Sequence, residues 1–349
     1  MKISAIVPVW NGRELLARLL ATLEGQTRRA DELVVVDNGS TDGAAELARS
    51  RGARVLAMGR NAGFAAAVNR GIREAAHPLV GIFNSDVELA PDYLERLAAA
   101  EAPFATGKIL SPSGLLDGTF DLTCRGGTTW RAGAGLADGA PFDVEREIAS
   151  PPWTAVLYQA QVFRQVGMLE ESFESYLEDA DFGLRCAARG ILGRYIPQAR
   201  AVHVGSATLG RWHAETVRRM ARNQVLLVAR HGLLRHAWPV LVAQTLWGAV
   251  ALRHGRGLAW ALGKCQGLRL FAAACARVHP ATETDASADS ARRHAESGGS
   301  AGQPPSQGTF PTEDAGLLEP ALRAHEQFIH AHSRDGYWRL YFLLTRGTK

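Results

Sequence analysis

Residues 32–43 read ELVVVDNGSTDG, a short β-branched run that stops on Asp37 and breaks at once into Asn38-Gly39. Such a run, bounded by turn residues, predicts a buried strand. Three more lie close by. Ile3–Val9 stops at Asn11-Gly12, Arg54–Met58 at Asn61-Ala62-Gly63, and Leu79–Phe83 at Asn84-Ser85-Asp86. Helical patterns separate them. Glu14–Gly25 gathers Leu15, Leu16, Leu19, Leu20 and Leu23 on one face, a second helix with Ser40 as its expected cap follows Asn38-Gly39, and a third is expected from about Phe64 to Ala76. Strand–helix alternation at this spacing predicts βαβ units and an α/β fold with a parallel sheet covered on both faces.

Beyond residue 102 the pattern weakens into glycine-rich loops, around Arg125-Gly126-Gly127, Gly133, Gly135 and Gly139. The expected elements there are a strand at Trp153–Tyr158, a short helix at Gln161–Val166 and a helix from Glu178 to Arg189 closed by Gly190. Two short strands are expected at Ile191–Ile196 and Ala201–Val204. A chain of 349 residues that is 46% hydrophobic and 21% charged is neither fibrous nor wholly disordered. Its four cysteines lie far apart with no CxxC pair, which argues against a disulfide framework or a zinc-thiolate site and for a reducing compartment. The opening MKISAIVPVWNG, broken by Pro8, reads as a first strand rather than a secretory signal.

Charge divides the chain. Residues 211–280 carry 11 Lys and Arg against one Glu, while residues 1–210 carry 21 against 25. The basic residues are interleaved with Leu, Val, Ala and Trp, so the expected partner is an anionic membrane surface and not nucleic acid. Ala237–Leu252 is free of formal charge but, at 16 residues, shorter than the roughly 20 needed to span a bilayer. An interfacial amphipathic helix pair is therefore expected over 211–279, with a helical pair packed on the core as the alternative. A disordered Ser/Ala/Gly/Pro-rich linker is expected over 280–316 and a C-terminal helix over 317–349.

In open α/β sheets, ligands collect beyond the carboxyl ends of the strands. The four polar turns describe a pocket there, lined with small residues and carboxylates. Asp37 can accept from the N3–H of a uracil or thymine ring, and Gly63, ahead of a helix, can admit a ribose or phosphate to the backbone. Downstream, Glu178-Asp179-Ala180-Asp181 opens a helix. Asp181 is expected to pair with Arg185 at i,i+4, and Arg222-Asn223 is assigned to structure.

Taken in order, VPVWNG, VVDNGSTDG, NAGFAAAVNRGI, FNSDVEL, YLEDADFGLR and HVGSAT resemble the motifs of glycosyltransferase family 2, in its bacterial rhamnosyltransferase-like branch, over roughly residues 3–230. The resemblance implies a GT-A fold in residues 1–210, with a nucleotide-sugar-binding half (1–102) and an acceptor half (103–210). It also implies a Mg²⁺ or Mn²⁺ ion and inversion at the anomeric carbon. By that resemblance Asp37 reads the pyrimidine, and Pro8, Val9, Asn61 and Gly63 belong to the nucleoside pocket. Asn84-Ser85-Asp86 stands at the D-x-D site, with Asp86 and His203 as metal ligands and Asp179 as catalytic base. Asn84 departs from the family pattern and leaves one carboxylate where the pattern has two. Trp153 and Glu178 fall at the acceptor.

The implied reaction transfers a sugar, with L-rhamnose the one this branch points to, from a dTDP- or UDP-sugar. The acceptor would be a glycan or a polyprenyl-diphosphate-linked sugar on the cytoplasmic face of a bacterial membrane, with the enzyme held there peripherally. Two alternatives remain open at this level. One is transfer to a protein or soluble acceptor. The other is a catalytically inactive sugar-nucleotide-binding subunit or membrane scaffold, which only Asn84 favours.

Overall fold

Every side chain of β1 (Ile3–Val9) is buried, which explains why its sequence shows no alternation. In the computed structural model, which describes residues 1–204, 212–276 and 315–346, β1 pairs in parallel with β2 (Glu32–Asp37) and β4 (Leu79–Phe83). β3 (Arg54–Ala57) extends β2, also in parallel. The crossovers are α1 (Arg13–Glu24), α2 (Ala44–Ser50) and α3 (Phe64–Glu74). α1 buries Leu16, Leu19, Leu20 and Leu23 of its predicted face. Ser40 does not cap α2, which starts later, after Gly43; its Oγ accepts instead from the Asn11 N–H (2.9 Å) and ties the first two strand-end turns together.

The sheet then becomes mixed. β11 (Ala155–Gln159) runs antiparallel between β4 and β6 (Phe104–Leu110), and β12 (Gly193–His203) lies parallel beside β6. The two strands expected between Ile191 and Val204 are thus one. Pro197 sits in a register shift between Ile196 and Arg200, where a residue without an N–H is tolerated, so pairing resumes beyond it. Short antiparallel pieces border the site: β5 (Val87–Leu89) on β12, β7 (Leu116–Gly118) on β6, and a separate hairpin of β8 (Asp121–Thr123) and β9 (Thr129–Arg131). β10 (Arg146–Ile148) closes the far edge. All four cysteines are free.

α6 (Glu178–Ala188) and α7 (Ala214–Arg230) are joined through Asp181. That carboxylate is fully buried and meets Arg185 Nε (2.9 Å), Arg230 Nε (2.9 Å) and His231 Nε2 (3.0 Å). The expected pairing with Arg185 is present, and a second helix shares it. α8 (Ala237–Arg253) and α9 (Gly257–Ala276) follow. α9 lies hard against α7: a Cβ on Gly263 would fall 2.2 Å from the Arg218 carbonyl, and one on Gly267 would fall 2.8 Å from that of Arg222. Apolar residues are spread round α8 and α9 rather than gathered on one stripe, so the expected amphipathic pattern is not what forms. One side packs on the protein and the other leaves leucines exposed. No helix among the described residues is long and apolar enough to cross a membrane.

The expected linker falls mostly on residues 277–314, outside the described residues, but its last two positions already belong to α10 (Ala315–His332). The C-terminal segment forms two helices, because Asp335 caps a new one, α11 (Gly336–Thr345), by accepting from the Tyr337 N–H (2.9 Å). Both dock on the β8–β9 hairpin. Glu326 takes the Arg125 N–H (3.0 Å), its guanidinium (2.9 Å) and the Tyr341 hydroxyl (2.8 Å), while Tyr337 meets Thr128 (2.9 Å).

Replacing Asp181 with Ala takes away the buried carboxylate that Arg185 and Arg230 share, Arg230 keeping its bond to Glu170 (2.9 Å), and costs about 3–5 kcal/mol. Urea unfolding should show that loss at neutral pH. The difference from wild type should shrink on acidification, because neighbouring Arg230 and Arg185 outweigh burial and hold the Asp181 carboxyl well below its ordinary range.

Candidate active site

The pocket at the strand ends is built by side chains that satisfy one another. Asp37 ends β2 opposite Val9, and its Oδ1 accepts from the Ser40 N–H (2.9 Å). Pro8 and Val9 are buried within β1, and the Val9 carbonyl accepts from the Asn38 N–H (2.8 Å). Asn38 staples the next turn: its Nδ2 donates to Asn61 Oδ1 (3.1 Å) and the Gly63 carbonyl (3.1 Å), and its Oδ1 accepts from the Ala62 N–H (2.9 Å). Asn61 also accepts from the Gly63 N–H (3.0 Å). Gly63 has φ 90°, and a Cβ there would stand 2.8 Å from the Glu174 carbonyl oxygen. Close approach of another backbone is therefore a sufficient reason for this glycine, apart from any ligand.

Asn84, Ser85 and Asp86 form the turn between β4 and β5. Asn84 donates its N–H to the Thr154 carbonyl (2.9 Å), while its Oδ1 is buried with no hydrogen-bond partner. The β5–β12 pairing sets Val87 opposite His203 and brings Asp86 Oδ1 to 3.1 Å from His203 Nε2. His203 Nδ1 lies 2.9 Å from Asp117 Oδ2 on β7. Burial alone would lower the imidazole pKa, but the bonds to Asp117 and Asp86 outweigh it and raise it to about 9. Of the HVGSAT motif, residues 205–208 lie outside the described residues.

Among the described residues, no group of three or more His, Cys, Asp or Glu side chains is arranged to hold a metal ion unaided. Asp86 and His203 nevertheless point at each other, and the same turn carries the orphaned Asn84 oxygen. Two protein ligands with the rest of the shell supplied by a diphosphate is an ordinary arrangement for Mg²⁺. The residues fit such an ion.

Opposite this turn, Asp179 in the first turn of α6 has a side chain only 15% exposed. Arg131 grips Asp121 with two bonds (3.0 and 3.0 Å) and shares Nη2 with Asp179 Oδ2 (3.1 Å). Its stem crosses Gly118, where a Cβ would come within 2.5 Å of Arg131 Cδ. Burial pushes the Asp179 carboxyl up, the charge of Asp121 adds to this, and Arg131 draws it partly back, to about 6. Desolvation thus makes this carboxylate a stronger base than a solvated aspartate. Glu178 is buried, its Oε2 lacks a partner, and burial followed by the Asp179 charge raises its pKa well above the usual range. Both effects favour its protonated form, which can donate a hydrogen bond. Trp153 is 2% exposed and enclosed by Tyr158, Phe163 and Phe182, so no ring face is open for a sugar to stack on.

Asn38, Asp117, Asp121 and Arg131 are the contributors that sequence reading passed over. One signal was available, since Asp117 and Asp121 are the only acids between residues 103 and 137.

A mixed sheet with a parallel half and polar turns at its strand ends is the architecture of GT-A glycosyltransferases. A solved structure of GalNAc-T7 with UDP, GalNAc and Mn²⁺ shares that fold, with TM-score 0.55 and 12% identity over 78% of this chain and 56% of that one. The model of the glycosyl transferase family 2 matches residues 4–102. An N-acetylglucosaminyl-diphospho-decaprenol L-rhamnosyltransferase of Mycobacterium tuberculosis is 29% identical over 272 residues, 68% of this chain and 87% of its own. A validoxylamine A glucosyltransferase of Streptomyces hygroscopicus is 28% identical over 219 residues, 54% of this chain and 52% of its own. Over its first hundred residues the chain thus matches the family 2 model, and over two thirds of its length it is similar to a rhamnosyltransferase.

The electrostatics of Asp179 set a pH signature. Turnover should fall as pH drops through about 6, where the carboxyl gains its proton. Arg131→Met removes the one nearby cation and should move that acid limb to higher pH. Asp179→Asn should cost about 10²–10⁴-fold in kcat at every pH.

Proposed function

We propose that the protein is an inverting glycosyltransferase that moves L-rhamnose from dTDP-L-rhamnose, with a UDP-sugar as the alternative donor, to a hydroxyl of a polyprenyl-diphosphate-linked acceptor. The observation that carries this reading is a pair of charge groups close enough to feel one another. Asp86–His203–Asp117 stands at the donor turn and Asp121–Arg131–Asp179 at the acceptor side, with Arg131 close enough to feel the charge of Asp117.

Asp37 accepts from the pyrimidine N3–H, and the turns at Asn61–Gly63 and Asn84–Asp86 take the ribose and diphosphate. Asp86 and His203 hold a divalent cation, Mg²⁺ or Mn²⁺, which when bound neutralises charge on the departing nucleoside diphosphate. Asn84 replaces a carboxylate of the family pattern and serves the ribose. Asp179 takes the proton of the acceptor hydroxyl as that oxygen attacks the anomeric carbon from the face opposite the leaving group. Glu178, buried beside it with an unpartnered oxygen, contributes a hydrogen bond to the acceptor sugar. The relative's printed name, which specifies an N-acetylglucosaminyl-diphospho-decaprenol acceptor, supports a lipid-linked substrate for this chain.

A second part of the reading concerns place: we assign the enzyme to the cytoplasmic face of a bacterial membrane, held there peripherally. Supporting it are exposed apolar side chains on α8, α9 and α11: Trp238, Leu241, Leu258 (76% exposed), Leu262, Leu268 and Leu343. α8 and α11 adjoin, since Trp238 Nε1 donates to the Leu344 carbonyl (2.9 Å). Arg253, Arg256 and Arg269 lie in the same segment. Exposed leucines beside arginines suit an anionic bilayer surface.

Two measurements test these readings. In a thermal-shift panel of UDP, dTDP and GDP with and without Mn²⁺, millimolar dTDP or UDP should raise Tm only when metal is present, and Asp86→Asn should abolish the metal-dependent part. Vesicles containing phosphatidylglycerol should sediment the protein at low salt and release it as salt rises. Indifference to anionic vesicles at moderate ionic strength would remove the membrane assignment and leave the enzymatic one standing.

A further inference from the structure

The segment that delivers Glu178-Asp179 to the site runs through three non-glycine residues with positive φ: Glu174 (59°), Tyr176 (75°) and Leu177 (67°). Side chains resist that region, and a run of such residues persists only where its surroundings enforce it. The enforcing group is Asn223 on α7, a residue the sequence assigned to plain structure. It is fully buried. Its Nδ2 lies 2.9 Å from the Phe173 carbonyl, 3.0 Å from that of Ser175 and 2.7 Å from that of Tyr176. Its Oδ1 accepts from Arg222 Nε (2.9 Å), and the same guanidinium reaches the Phe173 carbonyl (2.8 Å) and Glu174 Oε1 (2.6 Å).

The chemistry of this contact selects asparagine. Three carbonyls converge on one atom, so that atom must be a donor, and Arg222 must find an acceptor on the same side chain. An aspartate would turn an oxygen toward three oxygens, and an alanine would leave buried carbonyls short of donors.

The other side of the turn touches the donor pocket. The Ala65 N–H donates to the Glu174 carbonyl (3.0 Å) and the Phe64 N–H to Ser175 Oγ (3.2 Å), immediately after Gly63, which has no room for a side chain against Glu174. One left-handed turn therefore stands between the nucleoside pocket and the carboxylate that takes the proton.

We propose that Asn223 is a positioning residue for the transfer reaction: by holding the carbonyls of Phe173, Ser175 and Tyr176 it maintains the left-handed turn that fixes Asp179 relative to the donor pocket. The proposal rests on the assignment of Asp179 as base. Asn223 touches no substrate. It acts through the turn, and a displacement of about 1 Å at the reacting group is enough to cost on the order of 100-fold.

The test uses the full chain, dTDP-L-rhamnose and a synthetic N-acetylglucosaminyl-diphospho-lipid, with rates expressed per folded molecule. Asn223→Ala should lower kcat by about 100-fold while the donor KM stays within about threefold. Adding Tyr176→Gly should recover about tenfold of that loss relative to the Tyr176→Gly single variant, because glycine adopts positive φ without help. If Asn223→Ala does not fold, Asn223→Ser, which keeps one hydroxyl donor, is read in the same way.

Hydrogen exchange gives a readout free of donor identity. The peptide spanning residues 173–180 should lose protection in the variant while the rest of α7 keeps its own. An unchanged kcat, a loss no greater than the loss of folded protein, absence of glycine rescue or unchanged exchange would each overturn the proposal. Asp179→Asn, run in parallel, separates the two claims. Retained turnover there would sink the base assignment and the proposal with it, whereas an inactive Asp179→Asn beside a fully active Asn223→Ala would overturn the positioning role alone.

Discussion

A carboxylate with no access to water must be answered by opposite charge, and Asp181 is the point at which this molecule obeys that rule. Two guanidiniums and an imidazole converge on it from α6, α7 and the residue after α7. Removing the carboxylate itself would strand much of that positive charge in a medium that cannot solvate it. The cluster fixes α7 against α6, two residues beyond Asp179. α9 follows because Gly263 and Gly267 let its backbone lie directly on α7. Most of the helical half is thus referenced to one buried charge.

The donor half and the catalytic charges are built differently. Parallel strands covered on both faces supply a rigid row of strand ends, and small polar side chains such as Asn38 lock the turns that follow. Charged residues of the candidate site gather around short antiparallel pieces added to that frame, namely β5, β7 and the β8–β9 hairpin, with Asp179 on α6 and His203 on β12. The last two helices brace the hairpin at its turn, through Glu326 and Arg125, while its open end presents Asp121 and Arg131 to Asp179. The C-terminal segment thus acts on the site through the hairpin it supports. Local surroundings then differentiate three neighbouring acids: Asp181 is paired and held well below the usual carboxylate range, Asp179 is raised to about 6, and Glu178 is pushed well above that range.

Much of this was legible beforehand, for identifiable reasons. The four N-terminal strands announced themselves because parallel strands buried on both faces carry continuous apolar runs ending in turn residues. The Asp181–Arg185 pair was legible because it lies within one helix turn, and Asp37, Asp86 and Asp179 could be singled out because each sits at a fixed offset from a strand or helix start. Asp117, Asp121 and Arg131 were missed because three-residue strands have no period to read. β12 was divided in two because Pro197 looks like a break, although neighbouring strands carry pairing past it. Gly63 was assigned to a ligand when a backbone 111 residues away already requires it.

The sequence by itself determined the α/β frame, the row of strand-end turns and the identity of the carboxylates, because each depends on interactions between residues close along the chain. Tertiary structure alone decided what those carboxylates are. Whether Asp179 is a weak or a competent base depends on how much water reaches it and on Asp121 and Arg131, brought in from 58 and 48 residues away. Whether Asn223 is inert or supports the turn beneath the base depends on three carbonyls from another element. Desolvation and convergence of distant groups are properties of the packed chain, and local pattern carries no record of either.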